Sequence, residues 1–366
     1  MSFISRFKPK NPILTLISEV VFFLFLALLG IIIGFFLIYR YGTPNIDHIR
    51  DYQWKLPSIL YDKTGEVELY RLYDEENRIV VSHDAIPDTV RLATIASEDQ
   101  NFYTHHGIDP LSILRALRAN IASGRIEQGG STITQQLARA LFLSNEQTLE
   151  RKVREALLAI KIDQSLSKDE VLDLYLNTVP YGANAYGIES AAHLFFDKKA
   201  IDLTIDESAL LAALPNAPTF FSPYKDNLTK LKDRQENILL RMYTLGFISR
   251  SDYTNAISTE TLPHIVPRSD AIIAPHFVFA VLDELKTKYS EEDLQTKGLR
   301  IVTTLDLDLQ KEAERVVREG ATKNIARGAE NAALVALDAK NGDILSMVGS
   351  RDYFDTRIDG NVNVTM

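Results

Sequence analysis

The run Val20–Tyr39 (VVFFLFLALLGIIIGFFLIY) contains no charged residue. As a helix it would extend about 30 Å, enough to cross the hydrocarbon core of a bilayer. A cleaved leader carries a shorter apolar core, roughly 7–15 residues, followed by a small-x-small site; here YRYGTPNIDH follows instead. The pattern therefore predicts an uncleaved anchor over 20–39. Arg6, Lys8 and Lys10 precede it with no acid before Glu19, which places a tail, 1–19, in the cytoplasm and the rest of the chain on the outer face. From Ser58 to Val81 apolar and polar residues alternate around Asp62-Lys63-Thr64-Gly65, the signature of a β-hairpin. Between Pro87 and Leu214 the period becomes helical. Ile113, Leu114, Leu117 and Ile121, then Ile133, Leu137 and Leu141, then Leu149, Val153, Leu157 and Ile160 recur three and four apart. Ser167 and Glu170 make a capping-box pattern for a further helix that ends before Pro180. The segment Asn216–Tyr224 (NAPTFFSPY) breaks the pattern, and a charged helical stretch begins near residue 225. The end of the chain reads as strands, with Leu299–Thr304 first and then Ala332–Leu337 and Ile344–Val348 about an Asn341-Gly342 turn.

Composition narrows this reading. At 366 residues, the chain has room for about two folded units of ordinary size. Hydrophobic residues at 46% and charged residues at 24% exclude a disordered chain. A net charge of -9 argues against the broad basic footprint of a nucleic-acid binder. With no cysteine, disulfides, zinc thiolates and cysteine nucleophiles are excluded.

The residues richest in chemistry fall in three places. The first is Glu98-Asp99 followed by QNFYTHHG. Leu92, Ile95 and Ala96 predict a short helix whose C-terminal end carries Glu98, where the macrodipole opposes a carboxylate's charge and suits it to proton abstraction. Taken alone, a solvated acidic helix end is the better reading. The second is Gly129-Gly130-Ser131-Thr132, opening a helix with a Thr132/Gln135 capping box. Such an N-terminus is a site for phosphate or simply a capped helix, and Arg139 lies one turn further on. The third is Arg151, Lys152 and Glu155 on one helical face, a surface ion-pair ladder or part of a site.

In order and spacing, EDQNFYTHHG, GGSTITQQLAR, RKVREALLAIKI and KDEVLDLYLNTVPYGANAYGIESAA resemble the motifs of the family 51 peptidoglycan glycosyltransferases. LRIVTTLDLDLQ and AALVALDAKNGDILSMVGSRDYF resemble the linker and the start of the transpeptidase domain in class A penicillin-binding proteins of the 1A kind. The resemblance implies a mainly α protein. Its parts are an N-terminal transmembrane helix, a lysozyme-like α-helical glycosyltransferase domain over 58–224 with a hairpin stalk, a helical linker over 225–298, and the truncated start of an α+β transpeptidase domain over 299–366. It implies polymerisation of lipid II into β-1,4 glycan strands at the bacterial cytoplasmic membrane, with Glu98 as general base and Glu155 as second acid. Thr132, Gln136, Arg139, Arg151 and Lys152 match the surroundings of the pyrophosphate, while Asp99, Phe102 and His105 match the motif that orients Glu98 and shapes the cleft. His105 reads equally as a structural histidine. The resemblance also implies a divalent cation, magnesium first, as a helper that is not tightly bound. The expected partners are lipid II, the growing glycan and membrane lipid, with no nucleic acid; partner proteins of wall synthesis stay open. In a full-length protein it implies a second, D,D-transpeptidase activity. A non-catalytic wall scaffold and a lysozyme-like hydrolase are the rival readings.

Two departures stand out: Arg139-Ala140 replaces the family's usual Lys-Asn, and Asn177-Thr178-Val179-Pro180 replaces a more aromatic version. Leu111, Leu114, Leu117 and Ile121 with Arg115, Arg118 and Arg125 read either as an interfacial surface admitting lipid substrate or as a core-facing stripe with a basic back. The penicillin-reactive strings at Ser5–Lys8, Lys63–Gly65 and Ser165–Lys168 are out of place, so covalent penicillin binding by this chain is not expected.

Overall fold

The computed structural model describes residues 12–123, 129–144, 146, 148–268 and 272–366. Arg6, Lys8, Lys10 and Arg125, and the Ser5–Lys8 string, lie outside the described residues. Along the chain come α1 (Pro12–Tyr41), β1 (Ser58–Tyr61), β2 (Glu68–Leu72), β3 (Asn77–Arg78), α2 (Asp88–Glu98), α3 (Pro110–Ser123), α4 (Ile133–Phe142), α5 (Leu149–Ser165) and α6 (Lys168–Thr178). There follow β4 (Pro180–Gly182), β5 (Ala185–Tyr186), α7 (Ile188–Phe196), α8 (Ile205–Ala213), α9 (Leu228–Thr244), α10 (Arg250–Ser258), α11 (Pro275–Lys286), α12 (Glu291–Thr296), β6 (Arg300–Val302), α13 (Leu307–Asn324), β7 (Leu334–Leu337) and β8 (Ile344–Val348). Two compact units result, and neither is continuous in sequence. One joins the chain up to Asp51 with Glu98–Tyr175; the other joins Tyr52–Ser97 with Leu176–Met366.

The first unit is helical. Its core is the buried stripe of α4 (Ile133, Leu137, Ala138) together with that of α5 (Leu158, Ala159, Ile162), the apolar spacing expected of helices with one covered face. Gly107 lets the loop before α3 approach α5 closely. Its φ is +80°, and a Cβ there would lie 2.5 Å from the Ala159 carbonyl oxygen. At the foot of α1, Lys161 of α5 lies 4.5 Å from the Tyr39 ring centre and donates to the Thr43 hydroxyl. Helix α1 is continuous over 30 residues, and the side chains from Val20 to Leu29 are exposed. Among the described residues, no helix is long and apolar enough to cross a membrane, so the expected transmembrane helix is not established by the fold. The side chain of Leu117 lies outside the described residues, and helix α3 turns Leu111, Leu114 and Ile121 outward, at 75%, 63% and 73% exposed. That decides against the core-facing alternative for these positions, while Arg115 and Arg118 are exposed too.

The second unit holds the sheets. The predicted hairpin forms as β1 and β2, antiparallel with Ser58 opposite Leu72. The strand expected near 299–304 is β6, and it pairs parallel with β1, Ile59 opposite Arg300. The segment at the end of the chain thus completes the sheet begun by the hairpin, giving the order β2-β1-β6. Leu60 and Leu69 share one core with Phe277, Val278 and Leu282 of α11 and with Met347 of β8. Helix α13, absent from the sequence reading, buries Ala313 and Val317 against Val348. Gln310 locks it to β8, accepting from Met347 N at 2.9 Å and donating to Met347 O at 3.2 Å. Elsewhere α8 is buried along its length and packs on α9.

Candidate active site

Glu98 is the last residue of α2, as the apolar spacing predicts. Its carboxylate Oε2 accepts a hydrogen bond from Gln136 Nε2 at 2.9 Å. The other end of that amide, Oε1, accepts from the Tyr175 hydroxyl at 3.1 Å. Residues from the first, second and fourth motifs thus meet at one side chain, in a half-buried setting.

Asp99 faces the other way. It is 7% exposed, accepts from Ile133 N at 3.0 Å and contacts His105 Nε2 at 2.9 and 3.0 Å with its two oxygens. Its charge therefore caps the N-terminus of α4, where unpaired N–H groups favour an anion. Thr132 completes that cap. Its hydroxyl accepts from Gln135 N at 3.1 Å and donates to Gly107 O at 2.6 Å, while Gln135 Oε1 accepts from Thr132 N at 3.0 Å. The capping box read from sequence is present with both its bonds. Phe102 is fully buried, edge-on to Tyr103, with Lys168 Nζ 4.9 Å from its ring centre. Asn101 donates to Asp109 at 2.9 Å, and Asp109 caps α3 through Leu111 N and Ser112 N, both at 3.0 Å. Burial pushes the Asp109 carboxyl up, but bonds from the Ser112 hydroxyl, Asn101 and Ser112 N–H, with the charge of His105, outweigh it and hold the pKa down at about 2.

On α5, Glu155 is fully buried between two cations. Arg151 donates to its Oε2 at 2.6 Å and Lys152 to its Oε1, and Lys152 also donates to the Ser131 hydroxyl at 2.6 Å. This is more than a surface ladder, because a buried carboxylate needs such partners to remain charged. It also links the Gly129–Thr132 turn to α5. The guanidinium of Arg139 is half-buried and makes no hydrogen bond or ion pair among the described residues. Among the described residues no group of three or more His, Asp or Glu side chains is arranged to hold a metal ion. With cations already on both oxygens of Glu155, the donor set there does not fit a resident divalent cation.

A family model described as Transglycosylase matches residues 65–243. Penicillin-binding protein 1A of Aquifex aeolicus is 41% identical over 314 residues, covering 83% of this chain and 42% of the relative. Penicillin-binding protein 1F of Bacillus subtilis is 39% identical over 332 residues, covering 90% of this chain and 45% of the relative. Through residues 65–243 the chain belongs to the transglycosylase family. It spans under half the length of these curated relatives. A crystal structure of penicillin-binding protein 1A from Haemophilus influenzae aligns with a TM-score of 0.48 and 18% identity, over 84% of this chain and 49% of that one.

Within the transglycosylase match, the structure brings Glu98 to Gln136, Asp99 to His105 and the α4 cap, and Glu155 to Arg151 and Lys152. It leaves Arg139 unengaged among the described residues. Asp99, Phe102 and Thr132 are turned into the fold, so they shape the site rather than offer surface to a substrate. Tyr175 and Asp109 were missed as parts of it. No local spacing signals the partner of the Tyr175 hydroxyl. Asp109 before Pro110 is a helix N-cap pattern that could have been found. The Lys63-Thr64-Gly65 string lies in the β1–β2 turn, and Ser165–Lys168 spans the α5–α6 junction.

Proposed function

We propose that the chain is a membrane-anchored peptidoglycan glycosyltransferase that polymerises lipid II into β-1,4 glycan strands and releases undecaprenyl pyrophosphate. The observation that carries this reading is the Glu98 carboxylate, set at a helix end and held by the amide of Gln136. Glu98 takes the proton from the 4-hydroxyl of the acceptor N-acetylglucosamine as that oxygen attacks the anomeric carbon of the donor. The bond from that carbon to pyrophosphate breaks, its electron pair leaves with the phosphate, and the linkage inverts from α to β. Arg139 offers a planar, bidentate donor to the charge that accumulates there. Glu155, gripped by Arg151 and Lys152, keeps those cations in place for the same task. A divalent cation such as magnesium would accompany the pyrophosphate of the substrate.

The uncharged run Val20–Tyr39 supports a single membrane crossing with the N-terminus in the cytoplasm and the catalytic unit outside. The outward leucines of α3 support contact with membrane lipid. A longer protein carrying this chain would add D,D-transpeptidase activity, in keeping with its resemblance to class A penicillin-binding proteins.

The test is lipid II polymerisation by the detergent-solubilised chain with magnesium, with Glu98→Gln and added moenomycin as comparisons. Polymer from wild type alone, blocked by moenomycin, is expected. Polymer from a folded Glu98→Gln variant would remove the base assignment, and none from folded wild type would favour the scaffold reading.

A further inference from the structure

We infer that Tyr175 is a positioning residue for glycosyl transfer, acting through the Gln136 amide to present Glu98 as a proton acceptor; the inference rests on the reading of Glu98 as general base. A glutamine amide has one donor end and one acceptor end, and the network around it decides which way it lies. Here one end meets Glu98 Oε2 at 2.9 Å and the other meets the Tyr175 hydroxyl at 3.1 Å. A phenol donates its proton to the amide oxygen, which commits the amide nitrogen to the carboxylate. Turned around, the amide would set its oxygen against a carboxylate oxygen, two acceptors with no proton between them. The Tyr175–Gln136 pair therefore matches an ionised Glu98, the form that accepts a proton from an attacking hydroxyl.

The three residues come from three elements. Glu98 ends α2, Gln136 lies in the first turn and a half of α4, and Tyr175 stands on α6 beside Val171 and Leu172. All three of those α6 side chains are fully buried, so the phenol cannot swing away without opening the core. Gln136 is fixed as well, because its backbone N–H donates to Thr132 O at 3.0 Å inside the capped turn. A base held this way needs little reorganisation when the acceptor arrives.

The experiment is a double-mutant cycle on steady-state lipid II polymerisation, with Tyr175→Phe and Gln136→Met singly and together. Phenylalanine keeps the ring and removes only the donor. Loss of one net hydrogen bond predicts that Tyr175→Phe lowers kcat about 3- to 10-fold with KM within about twofold. In the Gln136→Met background the same substitution should change kcat by less than about twofold, because the amide through which it acts is gone. An equal loss in both backgrounds, an effect confined to KM, or an unchanged kcat for Tyr175→Phe would overturn the inference. Should Tyr175→Phe not fold, Gln136→Glu tests the same link. A second carboxylate cannot donate to Glu98, so its kcat should fall further than that of Gln136→Met, and equal losses count against the inference. Failure of the base reading shows separately, as activity retained by Glu98→Gln.

Discussion

Asp99→Ala tests how the loop after α2 is joined to α4. The carboxylate is 7% exposed, accepts from Ile133 N at 3.0 Å and lies 2.9 Å from His105 Nε2. Alanine would strand the amide of Ile133, a residue that is itself fully buried, at about 1–3 kcal/mol. It would also leave His105 without its acid, and breaking a buried charged contact costs about 3–5 kcal/mol. The two effects share one carboxylate and are not additive, so the expected loss is about 3–5 kcal/mol in all. For a domain of this size, that lowers the melting temperature by roughly 6–20 °C. Thermal unfolding followed by circular dichroism in detergent is the assay, with a second spectroscopic probe to verify a single transition. Asp99→Asn keeps an oxygen for Ile133 N and should lose less than half as much. A melting temperature for Asp99→Ala within about 3 °C of wild type, or equal losses for Ala and Asn, would refute the reasoning.

Gly107→Ala forces a side chain into a φ of +80° with its Cβ 2.5 Å from Ala159 O, so unfolding should become easier by about 2–4 kcal/mol in denaturant titration. The folded pKa of Asp109, about 2, lies below the ordinary 3.8. Its contribution to stability is therefore present above about pH 4 and lost as pH falls toward about 2. Asp109→Asn should flatten the stability curve in that window, as read by urea titrations at several pH values. Arg139→Ala should reduce kcat/KM for lipid II by roughly 10- to 100-fold, the worth of a charge-assisted hydrogen bond; unchanged kinetics would remove Arg139 from the pyrophosphate site.

What the sequence disclosed was local. The Thr132/Gln135 box, the end of α2 at Glu98 and the β1–β2 turn each depend on residues a few positions apart, and each formed as read. Asp99, Tyr175 and Lys152 each have a partner 34, 39 and 21 residues away respectively, and no spacing rule reaches that far. Periodicity could not say what covers a stripe. The pattern Leu111, Leu114, Ile121 is that of a core helix, yet it faces outward. Helix α13 was legible in principle from Gln310, Ala313, Val317 and Ala321, all buried and three or four apart.

The parallel pairing of β1 with β6 sets a clock on biosynthesis. Ser58 and Leu299, bonded at the edge of that pairing, are 241 residues apart. At roughly 5–20 residues per second, a growing chain waits roughly 12–50 s after making β1 before its neighbour exists. During that interval the hairpin carries a bare edge able to recruit any extended segment nearby. Interrupting synthesis before residue 300 would make the exposure permanent, so such fragments should aggregate where slightly longer ones do not.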